Sequence, residues 1–382
     1  MKIIFICGSL EPGRDGVGDY TRCLAGALVG QGHQVAAVAL NDGYTSAKIS
    51  GKQQCGNNAF SILRLPASWS ASVRFSYAKD WIDMFDPEWL SLQYVPFSFH
   101  PKGLSLRLGK RLSKLGANRN WHLMFHELWV GMDVEAPTMQ KWWGQLQRRL
   151  IQDLVISLKP VSMHTQTRLY QLQLAKLGVI AKHLPLFGNI PRVNQTTRKY
   201  EGQYRAEVTE EVSLVAFAYL HPNAPIEQLA KEAAIYSRKR SVPVTLTLVG
   251  RSGKEQERWE IAWRNAGLKI KLLGEQPAEH VSEVLENATV GVCTTPMALI
   301  EKSGAAAAMH EHGLPVLCVA PPWVPSGIEY IGPPPGIVEY KPGNFIACLS
   351  TCRLSSFYST QAADVSRHLA DSLQNQSITW QA

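Results

Sequence analysis

Residues 2–40 read KIIFICGSLEPGRDGVGDYTRCLAGALVGQGHQVAAVAL. The run from Lys2 to Cys7 is apolar and of strand length, and the segment that follows, up to Gly18, is rich in glycine. Apolar residues then recur at helical spacing from Asp19 to Val29, and a second apolar run covers Gln34 to Leu40. This order predicts a βαβ unit, the repeating element of a parallel sheet covered by helices.

The same pattern continues along the chain and separates into two halves. The predicted strands of the first half are Trp89 to Tyr94 and His122 to His126, and Leu154 to Val161 fits either a strand or the end of a helix. The predicted strands of the second half are Val212 to Ala218, Val244 to Val249, Ile270 to Leu273, Thr289 to Thr294 and Pro315 to Val319. Its predicted helices are Ile226 to Arg238, Glu255 to Ala266 and Ala305 to His312. We therefore predict an α/β protein with a Rossmann-like domain at 1–190, a linker at 191–205, a second such domain at 206–360, and a C-terminal helix at 361–382 that packs back on the first domain.

The composition is that of a protein with packed cores. The chain has 382 residues, 45% of them hydrophobic and 18% charged, which excludes disordered, collagen-like and disulfide-scaffold classes. No window approaches the ~18 uninterrupted apolar residues of a spanning helix, and the opening apolar run is too short for a signal peptide, so we expect a cytoplasmic protein. The 7 cysteines form no CxxC pair and have no histidine at zinc spacing, so no metal site is expected.

An excess of basic residues favours an anionic partner. With 39 Lys and Arg against 31 Asp and Glu, the net charge of +8 suits nucleotide phosphates, nucleic acid or an acidic lipid surface, and charge alone does not choose among them. Residues 102–119 carry basic but no acidic side chains, and Leu104, Leu108, Leu112 and Leu115 fall on one helical face. This pattern suits a helix on an anionic membrane surface, and its alternative is a surface helix whose leucines pack against the sheet.

Two loops have the composition of a phosphate-binding site. In the first, Gly16 and Gly18 precede a helix, where small residues let backbone amides approach an anion. Thr21 stands where a dinucleotide fingerprint has its third glycine, so a flexible strand-to-helix turn is the alternative. The second loop opens residues 301–316, EKSGAAAAMHEHGLPV, and is followed by a helix that Gly313 ends.

The second loop combines an acid, a base and small residues. The amides of Ser303, Gly304 and Ala305 would point to the carboxyl edge of the sheet, where a diphosphate would fit. Lys302 would add positive charge, and Glu301 would accept hydrogen bonds from sugar hydroxyls. The alternative is that Glu301 is a favourable first-turn acid and Lys302 a solvated cation.

The chain resembles a GT-B glycosyltransferase similar to family 4. The resemblance is carried by the glycine-rich first loop, Leu92-Gln93-Tyr94-Val95-Pro96, His126-Glu127-Leu128, Leu186-Phe187-Gly188-Asn189-Ile190-Pro191, and Glu301-Lys302-Ser303-Gly304 with Gly313-Leu314-Pro315-Val316, in this order over residues 1–320. It implies two Rossmann-like domains facing a cleft, a UDP- or GDP-linked sugar donor held mainly by the second domain, and an acceptor held mainly by the first. It further implies retention of configuration, with neither a metal ion nor another cofactor. The acceptor would be a glycan, a lipid-linked molecule or a small molecule, and no nucleic-acid partner is then expected.

The resemblance also implies site residues. A histidine at the end of a first-domain strand contacts the donor sugar near the reacting carbon in this family, and His126 matches it; Glu301 is the second predicted catalytic residue. The predicted donor-binding residues are Gly16, Gly18, Arg251, Lys302, Ser303, Gly304 and Ala305, and the predicted acceptor-binding residues are Asp19, Tyr20 and Tyr94. The other histidines considered, His122, His164 and His221, are interpreted as structural polar groups.

Two departures from the family pattern concern the donor. The second ribose-binding glutamate is expected eight positions after Glu301, where Met309 stands, and Glu311 lies two residues further, ~200° around a helix. The basic diphosphate clamp expected after the first strand of the second domain is absent from Phe217-Ala218-Tyr219-Leu220-His221-Pro222, so Arg251 and Lys302 are the nearest candidates. The sequence therefore predicts altered donor recognition, or weak or lost activity.

Two other functions stay open. A nicotinamide-dependent oxidoreductase would use the first βαβ unit, with Asp42 after its second strand as the ribose ligand, although the missing third glycine disfavours it. The other alternative is a GT-B-like binding protein that is catalytically idle, because Met309 and Tyr219 stand where donor-binding residues are expected.

Overall fold

The computed structural model of the chain describes residues 1–116, 118–193, 211–217, 219–250, 253–329, 332–354 and 361–378. It divides into two compact units. The first unit comprises Met1–Pro185, Pro325–Glu329 and Ala362–Ala382, and the second comprises Leu186–Val324 and Tyr330–Gln361. Residues 194–205 of the predicted linker and the predicted donor-binding residue Arg251 lie outside the described residues.

The first unit is built on an eight-stranded sheet flanked by helices. Its strands are β1 (Lys2–Cys7), β2 (Gln34–Asp42), β3 (Ile49–Cys55), β4 (Asn58–Pro66), β5 (Trp89–Tyr94), β6 (Asn120–Phe125), β7 (Ser162–Thr165) and β8 (Lys182–His183). They lie in the order β3-β4-β2-β1-β5-β6-β7-β8, parallel throughout except for the antiparallel pair β3 and β4. Since β1 pairs with both β2 and β5, the connection after β1 leads to one side of the sheet and the connection after β5 leads to the other side. In open α/β sheets, ligands bind at the carboxyl ends of the strands where the order reverses in this way.

The helices of this part of the chain are α1 (Gly16–Gly30), α2 (Ala71–Phe85), α3 (Pro96–Phe99), α4 (Leu108–Ser113), α5 (Thr138–Leu158) and α6 (Arg168–Ala175). The first βαβ unit is confirmed, with α1 between β1 and β2. One expectation is resolved by α5: residues 154–158 are its last turn rather than a strand. The helix ends there because Lys159 adopts the left-handed conformation, and the next strand begins only at Ser162.

The basic segment 102–119 has the features of the second of its two interpretations, a surface helix whose leucines pack against the sheet. Its helix α4 has only 6 residues, and Leu108, Leu112 and Leu115 are buried. The leucines therefore pack inside the first unit, while Lys110 and Lys114 remain exposed, as in the surface-helix alternative. No helix within the described ranges is both long and apolar enough to cross a bilayer.

The second unit is built on a parallel six-stranded sheet. Its strands are β9 (Val212–Phe217), β10 (Val244–Val249), β11 (Lys269–Gly274), β12 (Val290–Cys293), β13 (Val316–Cys318) and β14 (Ile337–Glu339). Its helices are α7 (Ile226–Arg240), α8 (Glu255–Asn265), α9 (Ala278–Asn287), α10 (Gly304–Glu311) and α11 (Phe345–Leu354). The order β11-β10-β9-β12-β13-β14 is the doubly wound Rossmann order, in which the strands are added on one side of β9 first and on the other side from β12 onward.

Both faces of this second sheet are covered, which explains why its strands read as nearly continuous apolar runs. On one face, Trp259 and Trp263 of α8 are fully buried against side chains such as Leu246. On the other face, Val281 of α9 and Met309 of α10 pack together with Val215 and Cys293. The sheet is therefore held between two apolar layers that leave only its edges and the strand ends accessible.

A C-terminal helix, α12 (Ala362–Ile378), completes the first unit. The side-chain amide of Gln31, at the end of α1, donates to the Ala363 carbonyl at 2.9 Å and to Ser366 Oγ at 2.8 Å. Val365 and Leu369 are fully buried. Polar and apolar contacts thus fix α12 on the side of the first unit that α1 occupies.

Candidate functional site

The amino end of α10 is the part of the second unit that best fits an anion. After β12 the chain forms a 3₁₀ turn at Met297–Lys302, and Ser303 caps α10, its Oγ accepting from the Ala306 amide at 3.3 Å. Gly304 is exposed, and a Cβ added there would meet no atom of the described residues within 4 Å. The structure therefore brings Ser303, Gly304 and Ala305 to one helix start that opens into free space, directly after Glu301 and Lys302.

This helix start follows the strand at which the sheet reverses its order. The loops after β9 and β12 are tied together by Thr294, whose Oγ1 accepts from the His221 amide at 2.9 Å and donates to the Tyr219 carbonyl at 3.2 Å. Ser303 Oγ lies 3.3 Å from Cys293 Sγ at the end of β12. Thr294 was not among the predicted site residues, although a polar residue at the carboxyl end of an apolar strand was the available signal.

Met309 and Glu311 occupy positions that explain the missing ribose ligand. Met309 is 0% exposed, and a Cβ added at Gly291 of β12 would clash with its Sδ. Glu311 Oε1 instead accepts from the Gly188 amide at 2.6 Å. Burial raises the pKa of the Glu311 carboxyl to about 8, against the effects of that amide and of Arg192. As the helical spacing predicts, Glu311 does not lie at the beginning of α10 with Glu301.

The first glycine-rich loop differs from its predicted phosphate-binding role. Asp15 caps α1, and its Oδ1 accepts from the amides of Val17 at 2.9 Å and Gly18 at 2.8 Å. A Cβ at Gly18 would lie 2.6 Å from the Ser9 carbonyl, so glycine is needed here for packing. The Gly18 amide is thus already held by a carboxylate of the chain, and donor binding by Gly18 stays a prediction. For Gly16, which is exposed, donor binding stays a prediction.

The predicted acceptor residues are committed to other contacts. The Asp19 carboxylate accepts from the Gly13 amide at 3.0 Å and pairs with Arg22 at 2.7 Å, so it organises the loop. Tyr94 is 3% exposed, and its ring packs edge-on against Phe125. Tyr20 is also buried, with its ring edge-on to His126. Burial raises the pKa of both tyrosines. Both rings belong to the core of the first unit, and the contact of Tyr20 and Tyr94 with an acceptor stays a prediction.

Asp42 is not a ribose ligand. Its carboxylate is fully buried and accepts from Ser9 Oγ, from the amides of Leu10 and Tyr44, and from Arg64 Nε at 2.7 Å. Burial alone would raise the pKa of Asp42, but these hydrogen bonds outweigh it and hold the pKa below its usual value. Because each oxygen already has partners inside the chain, the nicotinamide-dependent alternative loses the residue on which it depends.

His126 follows β6 and belongs to a buried row of polar side chains. Its Nε2 lies 2.8 Å from Gln93 Oε1, and Gln93 Nε2 donates to Ser91 Oγ at 2.8 Å. Ser91 Oγ lies 2.7 Å from His122 Nδ1, and His122 Nε2 lies 3.0 Å from His164 Nδ1. His122 and His164 lie buried within the sheet, and Ser91 and Gln93 were not singled out from the sequence.

Burial determines the charge of His122 and His164. It lowers the pKa of His122 well below its usual value, helped by the charges of His164 and His126. It lowers the pKa of His164 to about 4, helped by Lys182 and His183. Both rings are therefore neutral near pH 7. Within the described residues, no three His, Cys, Asp or Glu side chains converge as a metal site requires.

No family model and no curated protein matches the chain. Solved structures do match it. HepE from Anabaena, in complex with UDP and glucose, superimposes with a TM-score of 0.58 at 14% identity, covering 98% of this chain and 100% of HepE. WaaB, a lipopolysaccharide outer core galactosyltransferase in its apo form, gives a TM-score of 0.51 at 13% identity, covering 96% of this chain and 94% of WaaB. A putative UDP-N-acetylglucosamine 2-epimerase from Listeria monocytogenes gives a TM-score of 0.52 at 10% identity, covering 98% of this chain and 95% of the epimerase.

These similarities run through both units, and at such low identity they establish the fold. They agree with two parallel-dominated sheets, each with its order reversed at one central strand. The predicted fold class is confirmed, while membership of family 4 stays a prediction. The chain has the GT-B glycosyltransferase fold.

Proposed function

We propose that this protein transfers a glycosyl group from a nucleoside-diphosphate sugar to an acceptor. The observation that carries the proposal is the open amino end of α10, capped by Ser303 and preceded by Glu301 and Lys302. A helix start of this kind presents unpaired amides and a positive dipole end, which together suit a diphosphate. The HepE structures, which contain UDP or UDP-glucose on the same fold, support UDP as the nucleotide to test first.

The same groups fit the chemistry of transfer. When the bond between the anomeric carbon and the phosphate oxygen breaks, negative charge grows on the diphosphate. The amides of Gly304 and Ala305 are fixed at the start of α10, so they would stabilise that charge with little reorganisation, and the Lys302 ammonium would add positive charge beside them. Glu301 would accept hydrogen bonds from hydroxyls of the donor sugar. We propose that the reaction retains configuration and needs no metal ion, since amides and a cation take the place of a Lewis acid.

In the first unit, His126 remains the proposed substrate contact. It stands directly after β6, at the carboxyl edge of the sheet, where ligands of open α/β sheets bind. The residue is 4% exposed, so a substrate would meet only an edge of the ring. The acceptor is proposed to bind this unit, and its class is left to a screen of glycans, lipid-linked sugars and small molecules.

A second candidate function is nucleotide-sugar binding without turnover. Met309 is buried in the core, and Glu311 is bonded to Gly188, so neither supplies the second carboxylate that the resemblance leads one to expect. The loss of one charged hydrogen bond to ribose costs about 1.5–3 kcal/mol of binding. That loss weakens a donor site by one to two orders of magnitude.

A thermal-shift screen followed by a transfer assay tests both candidates. A ligand that binds only the folded chain at ~100 times its Kd adds about 2.7 kcal/mol of stability, so UDP, GDP, UDP-sugars and reduced nicotinamide are readily ranked. We expect UDP or GDP to stabilise the chain in the thermal-shift screen. In the transfer assay, we expect the matching nucleotide sugar to be cleaved, with release of the nucleotide, only when an acceptor is present. Binding without product supports the idle alternative, and conversion of the sugar without an acceptor supports an epimerase. Stabilisation by reduced nicotinamide alone contradicts the proposal.

A further inference from the structure

The polar row behind His126 is continuous across three strands of the first unit. Ser91 and Gln93 lie on β5, His122 lies on β6, and His164 lies on β7. Strand register sets the first junction, since Ser91 stands directly opposite His122 in the parallel pair of β5 and β6. Ser91, Gln93 and His122 are 0% exposed, so no solvent competes for their hydrogen bonds.

Counting protons gives the row a direction. The Gln93 amide nitrogen donates to Ser91, so Gln93 Oε1 must accept from His126, which places a proton on His126 Nε2. Ser91 has one hydroxyl proton and already accepts from Gln93, so it donates to His122 Nδ1. A neutral His122 then carries its proton on Nε2 and donates to His164 Nδ1. Every donor points the same way, from His126 towards His164.

The opposite direction would require a concerted change. The Gln93 amide would have to turn over, the Ser91 proton would have to move, and all three rings would have to exchange tautomers together. His126, His122 and His164 therefore share one tautomer, either all protonated at Nε2 or all at Nδ1.

We propose that Gln93, Ser91, His122 and His164 are positioning residues that fix which ring nitrogen of His126 carries the proton. The inference rests on the proposed function only for its catalytic consequence. With a proton held on Nε2, Nδ1 is the nitrogen of His126 that can accept a hydrogen bond whenever the ring is neutral. His126 would thus meet a substrate hydroxyl as an acceptor in a defined orientation, without having to select a tautomer during the reaction.

Ring nitrogen chemical shifts test the chain without any substrate. In the full-length protein labelled with nitrogen-15 histidine, long-range proton–nitrogen spectra near pH 8 distinguish the two tautomers, and His126→Gln identifies the His126 signals. We expect His126, His122 and His164 all to carry the proton on Nε2. A mixed set of tautomers among these three rings overturns the proposal.

Ser91→Ala breaks the chain in its middle, and Ser162→Ala is its matched control. Ser162 is a buried serine on β7 and lies opposite His122 in the register of β6 and β7. Its hydroxyl has no hydrogen-bond partner among the described residues. We expect Ser91→Ala to shift the His126 ring nitrogens towards the average of two tautomers and to lower kcat/KM for the donor about tenfold. Ser162→Ala should change neither. Unchanged His126 shifts in Ser91→Ala overturn the proposal.

A second pair of variants decides the question should Ser91→Ala not fold. His164→Leu removes the acceptor at the end of the chain, and His164→Asn restores an acceptor oxygen close to the position of Nδ1. We expect the leucine variant to disturb the His126 tautomer and the asparagine variant to restore it; equal spectra for the two variants overturn the proposal. If no donor is turned over by the wild-type chain, the proposed function fails, while the spectra still decide the role of the positioning residues.

Discussion

The Glu311 carboxylate, near the end of α10, accepts a hydrogen bond from the backbone amide of Gly188 at 2.6 Å. Gly188 has no room for a side chain, because a Cβ there would lie 2.7 Å from Cα of Ala308. The segment after Pro185 therefore packs directly against α10 within the second unit. The carboxylate nearest to the expected ribose position thus serves the packing of the unit.

Replacing Glu311 by glutamine should change how stability depends on pH. Burial raises the pKa of Glu311 from 4.5 to about 8, so the folded state prefers the protonated carboxyl. The stability from this group is complete below the ordinary pKa and is lost as the pH rises through about 8. Glu311→Gln keeps the acceptor oxygen and cannot ionise, so the variant should gain about 1–3 kcal/mol relative to the wild type between pH 5 and pH 9.

Urea unfolding at pH 5, 7 and 9 measures this difference. Glu257→Gln, at an exposed position on α8, is the control and should follow the wild type at every pH. Glu311→Ala, which removes the acceptor, should be less stable than Glu311→Gln throughout. Parallel pH profiles for Glu311→Gln and the wild type would show that the carboxyl ionises normally in the folded chain.

Met309→Glu, which places a carboxylate where the resemblance expects one, should not restore donor binding. Met309 is fully buried against Gly291, so the variant would bury an unpaired charge. We expect a loss of stability of at least ~4 kcal/mol, at the severe end for a single substitution. Met309→Leu conserves volume and should cost less than about 1.5 kcal/mol. Chemical denaturation compares the two variants, and a stable Met309→Glu chain with tighter UDP binding would contradict the placement of Met309 in the core.

The sequence predicted the parts of the fold that depend on continuous apolar runs. The strands β5 and β10 have the predicted bounds, because a strand buried on both faces is apolar along its whole length. The hairpin of β3 and β4 was not predicted, since β3 reads ISGKQQC and is mostly exposed at the sheet edge. Local apolar patterns therefore indicate the interior of a sheet well and its edges poorly.

The candidate site was predictable only where it follows the chain. Glu301 to Ala305 are consecutive, so their place at the start of α10 follows from one strand-to-helix connection. The contact of Ser91 with His122 depends on the register between two strands, and the bond of Asp15 to Gly18 depends on a cap geometry. Neither is visible in residue order, which is why the first loop was interpreted as a phosphate site and the polar row was missed.

Cys55 should be the cysteine that reacts first with an alkylating agent. Its Sγ lies 3.5 Å from Cys23 Sγ, and the hydrogen bond between the two thiols lowers the pKa of Cys55 to about 7, although burial opposes this. Cys7 and Cys318 are buried, and burial raises the pKa of both. Because the thiolate is the nucleophile, limited iodoacetamide at pH 7.5 should label Cys55 before these two, as read by peptide mass spectrometry.

Cys23→Ala provides the matching variant for this experiment. It removes the partner thiol, so the pKa of Cys55 should rise and its labelling should slow severalfold. A control variant, Cys352→Ala, alters a buried cysteine of the second unit and should leave the rate at Cys55 unchanged. Equal labelling rates at Cys55 in the wild type and in Cys23→Ala would contradict the coupling of the two thiols.

Gly304→Val should weaken nucleotide binding without destabilising the free chain. Gly304 is exposed, and an added Cβ meets no atom within 4 Å in the part of the chain that the structure describes, so the valine side chain has space until a diphosphate approaches the amides of α10. Gly16→Val is the matched control, because Gly16 is the exposed first residue of α1 and is equally open. There, Asp15 already occupies the amides of Val17 and Gly18, so we expect the predicted contact of Gly16 with the donor to contribute less affinity than that of Gly304, and this pair of variants tests both contacts.

Thermal melting with and without UDP, followed by calorimetric titration, separates the two positions. We expect both variants to melt within a few degrees of the wild type in the absence of ligand, since neither glycine has a positive φ. Gly304→Val should bind UDP at least tenfold more weakly, a loss of about 1.4 kcal/mol, whereas Gly16→Val should bind within twofold of the wild type. If Gly16→Val weakened UDP binding and Gly304→Val did not, the donor phosphates would bind at the start of α1 and not at α10. If both variants bound UDP as tightly as the wild type, the phosphates would bind at neither helix.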